Sequence, residues 1–146
     1  MVDEFPYDSF YTEKAVITGI CALARNGLIY ANAAHLELQT EYKNLDNLCT
    51  IACSFHFVHK IYWYYELEPS LSNPLLLLPS AERSLIECIA HMDWVDEGFL
   101  IEALQDYTSR FLPNNYKKLY ACADHFGVPR ETVDYWINEA LTDEEV

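Results

Sequence analysis

The chain has 146 residues, of which 51% are hydrophobic and 14% aromatic, and 23 acidic residues against 9 basic ones give it a formal net charge of −14. That length suits a single domain spanning 1–146, and that apolar content excludes a disordered chain. The charge repels phosphate backbones and anionic lipid and attracts basic surfaces, so neither nucleic acid nor membrane is expected as a direct partner.

The opening MVDEFPYDSF is acidic and carries no basic-plus-apolar signal. Cysteines at 21, 49, 53, 88 and 122 sit mostly inside apolar helical patterns, as reduced thiols do, which places the protein in a reducing, cytoplasmic compartment. In TEKAVITGICALAR, the residues Ala15, Ile17, Ile20, Cys21 and Ala24 fit a helix or a strand equally. Asn26-Gly27 marks a turn, Leu28 to Ala31 reads as a short strand, and Asn32 to Thr40 as a loop.

Glu41 to Tyr65 reads as one long or broken helix whose centre is Leu48 to Lys60, LCTIACSFHFVHK. Leu48, Ile51, Ala52, Phe55 and Val58 recur at three-and-four spacing and predict a buried stripe. Pro69, Pro74 and Pro79 then enforce an extended connection in which Leu75 to Leu78 is a leucine-burying loop, too short to span a bilayer.

Ser80 is a good N-cap for a helix running to about Trp94, with Leu85, Ile86, Ile89 and Met92 on its apolar face. Asp96 caps the next, which carries Phe99, Leu100, Ala103, Leu104 and Tyr107 to Arg110. After Pro113-Asn114-Asn115, residues 112–146 form a helical hairpin, Lys117 to Phe126 and Pro129 to Leu141, ending in a solvated acidic tail from Thr142 to Val146. The fold expected is α+β and mostly helical, with a small N-terminal sheet.

The hairpin ACADHFGVPRETVDYWINEAL has helix-turn-helix spacing, with Ala121 at the packing position, Gly127 at the turn, Val128 after it, and Val133 and Ile137 facing inward. Pattern alone suggests a DNA-binding regulator. Charge opposes it, because from Pro129 onward the only basic residue is Arg130, against Glu131, Asp134, Glu139, Asp143, Glu144 and Glu145. A packing hairpin is the better reading.

From about Gly27 to Leu141 the order of parts resembles the compact phage-type ImmA/IrrE family of gluzincin-like metallopeptidase domains. GLIYAN stands for that family's short strand, LCTIA at Leu48 to Ala52 for the lead into its His-Glu-x-x-His helix, and Leu119 to Leu141 for its closing hairpin. The resemblance implies a gluzincin-like helical core. In register, however, Cys53, Ser54 and Phe57 stand where the first His, the general-base Glu and the second His belong. Phe cannot ligate zinc and Ser cannot be that base, so the resemblance implies a pseudo-peptidase with no catalytic residue and no cofactor.

A shifted site is the alternative. Cys49, Cys53 and His56 share a helical face and, with Glu82 as fourth ligand, suit structural zinc, whereas His59 points elsewhere and Glu87 is a lesser acidic candidate. A zinc peptidase with a displaced site is the corresponding alternative function. The aromatic run Tyr62, Trp63, Tyr64 and Tyr65 is either core cover or a contact surface.

The function expected is that of a non-catalytic acidic interaction protein of a phage or mobile element. It would inhibit a basic nucleic-acid-binding protein, as an antirepressor or anti-defence (anti-CRISPR-type) protein does, through Glu131, Asp134, Glu139 and the aromatic run.

Overall fold

The computed structural model describes residues 14–31, 35–41 and 53–144. Among them a five-stranded sheet and five α-helices make an α+β fold that is mostly helical, in agreement with the sequence. No helix among the described residues is long and apolar enough to cross a membrane.

The ambiguous first segment holds both structures. Strand β1 (Ala15–Ile17) is wholly buried, and helix α1 (Gly19–Arg25) follows after Thr18. Asn26 closes α1 and Gly27 takes φ +74°, the left-handed position that favours glycine. The amide of Gly27 then donates to Ala24 O and that of Leu28 to Leu23 O, both at 3.0 Å, which is a Schellman ending. This ending corrects the strand expected at Leu28 to Ala31: Leu28 and Ile29 drop into the helical core beside Leu23, and Tyr30 is left exposed.

The expected loop to Thr40 is instead mostly strand β2 (Leu36–Thr40), where the alternation of Leu36 and Leu38 with Glu37 and Gln39 has a strand's period. The largest correction falls on Leu48 to Lys60. Residues 42–52 lie outside the described residues, but Cys53–Phe57 is strand β3, not helix, and no helix follows it to Tyr65. Ser54-Phe55-His56-Phe57 alternates polar and aromatic, a period-two signal that the wider three-and-four reading had absorbed.

Strands β4 (Leu67–Pro69) and β5 (Leu76–Pro79) complete the sheet in the order β3-β2-β1-β5-β4. Parallel pairs join β2 to β3 and β1 to β5, while β1–β2 and β4–β5 are antiparallel. Leu75 to Leu78 is thus largely strand, with Pro69 and Pro79 at strand ends, where a missing amide donor costs least. One sheet face buries Ala15, Ile17, Leu36, Leu38 and Leu76 against Cys21 and Ala22 of α1. The other carries Val16 and Leu77 against Val58, Ile61 and Trp94.

Helix α2 (Ala81–Ala90) starts at Ser80, whose hydroxyl accepts the Arg83 amide at 3.1 Å. It stops before Trp94: His91 leaves helical geometry, and Met92–Trp94 is a 3-10 turn. Helix α3 (Glu97–Phe111) begins after Asp96, whose side chain makes no cap. Helices α4 (Tyr116–His125) and α5 (Arg130–Glu144) form the expected hairpin. Gly127 at φ +71° repeats the Schellman ending, with Val128 N donating to Ala123 O at 2.8 Å. Val133 and Ile137 are buried as expected, with Ala140 beside them, but α4 packs through Leu119, Cys122 and Ala123, and Ala121 faces out. The tail expected from Thr142 is, through Glu144, the last turn of α5.

Candidate functional site

Helix α3 buries Leu100, Ala103, Leu104 and Tyr107, and α5 packs beside it through Val133, Ile137 and Ala140. Gln105 donates from Nε2 to Ala140 O at 3.1 Å and pins the two together. Their flanks leave a groove of about 480 Å³ lined by Glu97, Gly98, Ile101, Glu102, Gln105 and Glu139. It has an apolar patch at Ile101, three carboxylates and no basic lining residue. Among the described residues, Glu97 and Glu139 have no ion-pair partner.

Glu102 also lines a second groove of about 500 Å³ with Asp106 and the Gly27 to Ala31 segment, so the acidic surface is continuous across α3. Its Oε2 accepts the Tyr30 amide at 2.8 Å, which holds that 97% exposed tyrosine at the rim. Asp106 is paired with Arg110, whose guanidinium also donates to Gly27 O at 3.2 Å. The site therefore offers an exposed aromatic and uncommitted carboxylates, the chemistry that receives lysine or arginine side chains.

The carboxylates inside the molecule are committed. Arg83 is fully buried; its Nε donates to Glu87 Oε1 at 3.0 Å and its Nη1 to Tyr62 O at 2.7 Å and to Tyr65 O. Gln39 donates to the other oxygen of Glu87 at 2.7 Å. Glu82 Oε2 accepts from Tyr107 Oη at 2.6 Å and Asn115 Nδ2 at 3.1 Å, and its Oε1 lies 3.4 Å from Lys118 Nζ. Burial pushes the Glu82 carboxyl up, but the hydrogen bonds of Tyr107 and Asn115, with the Lys118 charge behind them, hold it below its usual range. Burial, followed by the bond to Glu82, pushes the Tyr107 phenol up.

The zinc alternative built on Cys49, Cys53, His56 and Glu82 loses its geometric basis. The shared helix face on which it rests is absent, because Cys53 to His56 lies in strand β3. Cys49 lies outside the described residues. His56 is 2.6 Å from Glu37 and Glu82 is held by Tyr107, so each of these two is engaged elsewhere. Among the described residues, no group of three or more His, Cys, Asp or Glu could hold a metal ion. Cys88 and Cys122 are buried, and burial raises both thiols, Cys122 to about 12, so both act as small hydrophobes.

The expected partner-binding residues are only partly brought together. Glu139 lines the groove, whereas Asp134 faces α4 and accepts the Tyr120 hydroxyl, and that bond, with burial second, raises the phenol to about 12. Glu131 is exposed at the start of α5. Within the aromatic run, Tyr65 stacks on His125 at 3.8 Å and Tyr62 meets that ring edge-on at 4.7 Å. Trp63 packs on the sheet core with Lys14 over its ring at 4.6 Å, which leaves only Tyr64 of the four exposed. Glu97 and Glu102 went unnoticed in the sequence, because only the pairing of α3 with α5 sets them beside Glu139.

Comparison of the sequence with protein-family models finds none that matches, and comparison with curated proteins finds no match either.

Proposed function

We propose that this chain is a non-catalytic acidic interaction protein, of the kind a phage or mobile element uses, that binds and inhibits a basic nucleic-acid-binding protein. The observation that carries this reading is the groove between α3 and α5, where Glu97, Glu102 and Glu139 face one space with no cation among its lining residues. A phosphate-binding surface brings lysines and arginines at a density that such a groove neutralises. The hairpin is no rival DNA reader, since Arg130, the sole cation of α5, is 2.7 Å from Asp124 and the exposed face bears Glu131 and Asp134. On this reading the protein works in the cytoplasm, and of the ImmA/IrrE-like parts the closing hairpin is the one that supports a scaffold reused for binding.

The test is affinity capture from a host lysate, followed by kinetics and a DNA-retention assay with the captured protein. A basic DNA-binding protein should be retained and lose its DNA, with an association rate that falls steeply with salt, because exposed charges are screened within roughly 10 Å at 0.1 M. Reversing Glu97, Glu131 and Glu139 to Lys should slow association far more than it speeds dissociation. Capture that ignores both salt and the reversals would move the interface to Tyr64 and Tyr30 and end the electrostatic reading.

A further inference from the structure

The turn Asn26-Gly27 at the end of α1 carries a side chain that does more than end a helix. Nδ2 of Asn26 donates to Ala22 O at 2.9 Å, to Pro79 O at 3.1 Å and to Ser84 Oγ at 3.1 Å. Ser84 gives its own hydroxyl proton to Ser80 O at 2.8 Å, so toward Asn26 it can only accept. A single carboxamide NH2 group thus faces three acceptors, and it ties the end of α1 to the end of β5 and the first turn of α2. An amide brings two protons to that cluster and no charge.

Asn-Gly is also the dipeptide in which a backbone amide most readily attacks the side chain before it, because glycine leaves its nitrogen unhindered. The Gly27 nitrogen bonds to Cγ of Asn26, the Cγ–Nδ2 bond breaks, and ammonia leaves with the amide proton. Water then opens the cyclic imide at either carbonyl to give aspartate or isoaspartate. The folded junction blocks the first step in two ways. The near-planar imide needs the Gly27 nitrogen eclipsed with Cβ of Asn26, whereas at ψ 0° it is eclipsed with the Asn26 nitrogen, well away from Cβ. The Gly27 amide is also engaged, donating to Ala24 O at 3.0 Å. Asn26 is nonetheless only half-buried and lines a groove of about 360 Å³ with Glu66, Pro79, Ser80 and Lys118, so water is at hand once the junction opens.

We propose that Asn26-Gly27 is a fold-gated modification site, silent while the junction of α1, β5 and α2 is closed and converted to an acidic residue when it opens. The change is one-way. A carboxylate at position 26 has no proton to donate and sets a negative charge against the Ala22 and Pro79 carbonyls and the Ser84 oxygen. Isoaspartate also inserts a methylene into the main chain just before Gly27, where the left-handed ending of α1 is formed. Water is the only co-reactant, so a chain that opens is marked without an enzyme.

The test incubates the full chain at mildly alkaline pH, folded and in guanidinium chloride, and follows the peptide containing Asn26 by mass and by chromatographic separation of aspartate from isoaspartate. Conversion should be at least about tenfold slower in the folded chain, because it waits on local opening. After the denatured sample is returned to buffer, a protease pulse that removes unfolded chains should leave survivors depleted in the converted peptide. Asn26→Asp should unfold at lower denaturant than the wild type, and should it not fold at all, the two rates and the composition of the survivors still decide. A folded chain that converts as fast as the denatured one, or survivors as rich in the converted peptide as the starting mixture, overturns the proposal.

Discussion

Two sets of carboxylates do opposite things. Glu82 and Glu87 on α2 point inward, where Tyr107, Asn115, Lys118, Arg83 and Gln39 consume their acceptor capacity. Glu97 on α3 and Glu139 on α5 face a groove and have no ion-pair partner among the described residues. The residue type is the same, and the difference lies in who stands opposite. A buried carboxylate must be matched within the fold, whereas an exposed one left unmatched is available to another molecule.

If the inner set is structural, breaking it should cost most. Arg83→Met strands Glu87 in the interior, and denaturant unfolding should show a loss of roughly 3–5 kcal/mol. A loss under about 1 kcal/mol would show that the inner pair is not the matched charge described here. Next comes Val133→Asp, which places an unmatched carboxylate where α5 meets the core and should cost about 3 kcal/mol. A variant that stays as stable as the wild type would mean that the hairpin does not pack the domain.

Glu82→Gln keeps the shape and removes the charge, with an expected loss of about 1–2 kcal/mol at neutral pH. Because the folded Glu82 carboxyl is held below its usual range, its contribution is present above the unfolded value near about pH 4.3. It is lost as pH falls through the folded value. The variant should therefore show a flatter acid limb in a plot of unfolding midpoint against pH, and an unchanged limb would remove Glu82 from the inner set.

Ser80→Ala removes the cap of α2 and should cost about 1 kcal/mol in the same assay, a local effect that leaves both carboxylate sets in place. The outer set should matter least to stability. Glu97→Gln with Glu139→Gln should change it by no more than about 0.5 kcal/mol while slowing association with a basic partner. A large loss of stability there would make those carboxylates structural after all and erase the contrast.

What the sequence alone determined is what local chemistry determines. The hydroxyl of Ser80 three residues before Arg83, the turn glycines at 27 and 127, and Val133 with Ile137 on one face are signals complete within a turn or two of chain. The acidic excess, too, is a property of composition. Tertiary structure decided the rest. Phe55 and Val58 suit a helical stripe and Phe55 and Phe57 suit a strand, and pairing with Leu36–Thr40, seventeen residues back in register, resolved the choice for the strand. Gln39 meets Glu87 and Glu97 faces the flank of Glu139 only because packed layers bring them together. A carboxylate's role depends on the group opposite it, and that group is set by contacts far along the chain, which no local pattern encodes.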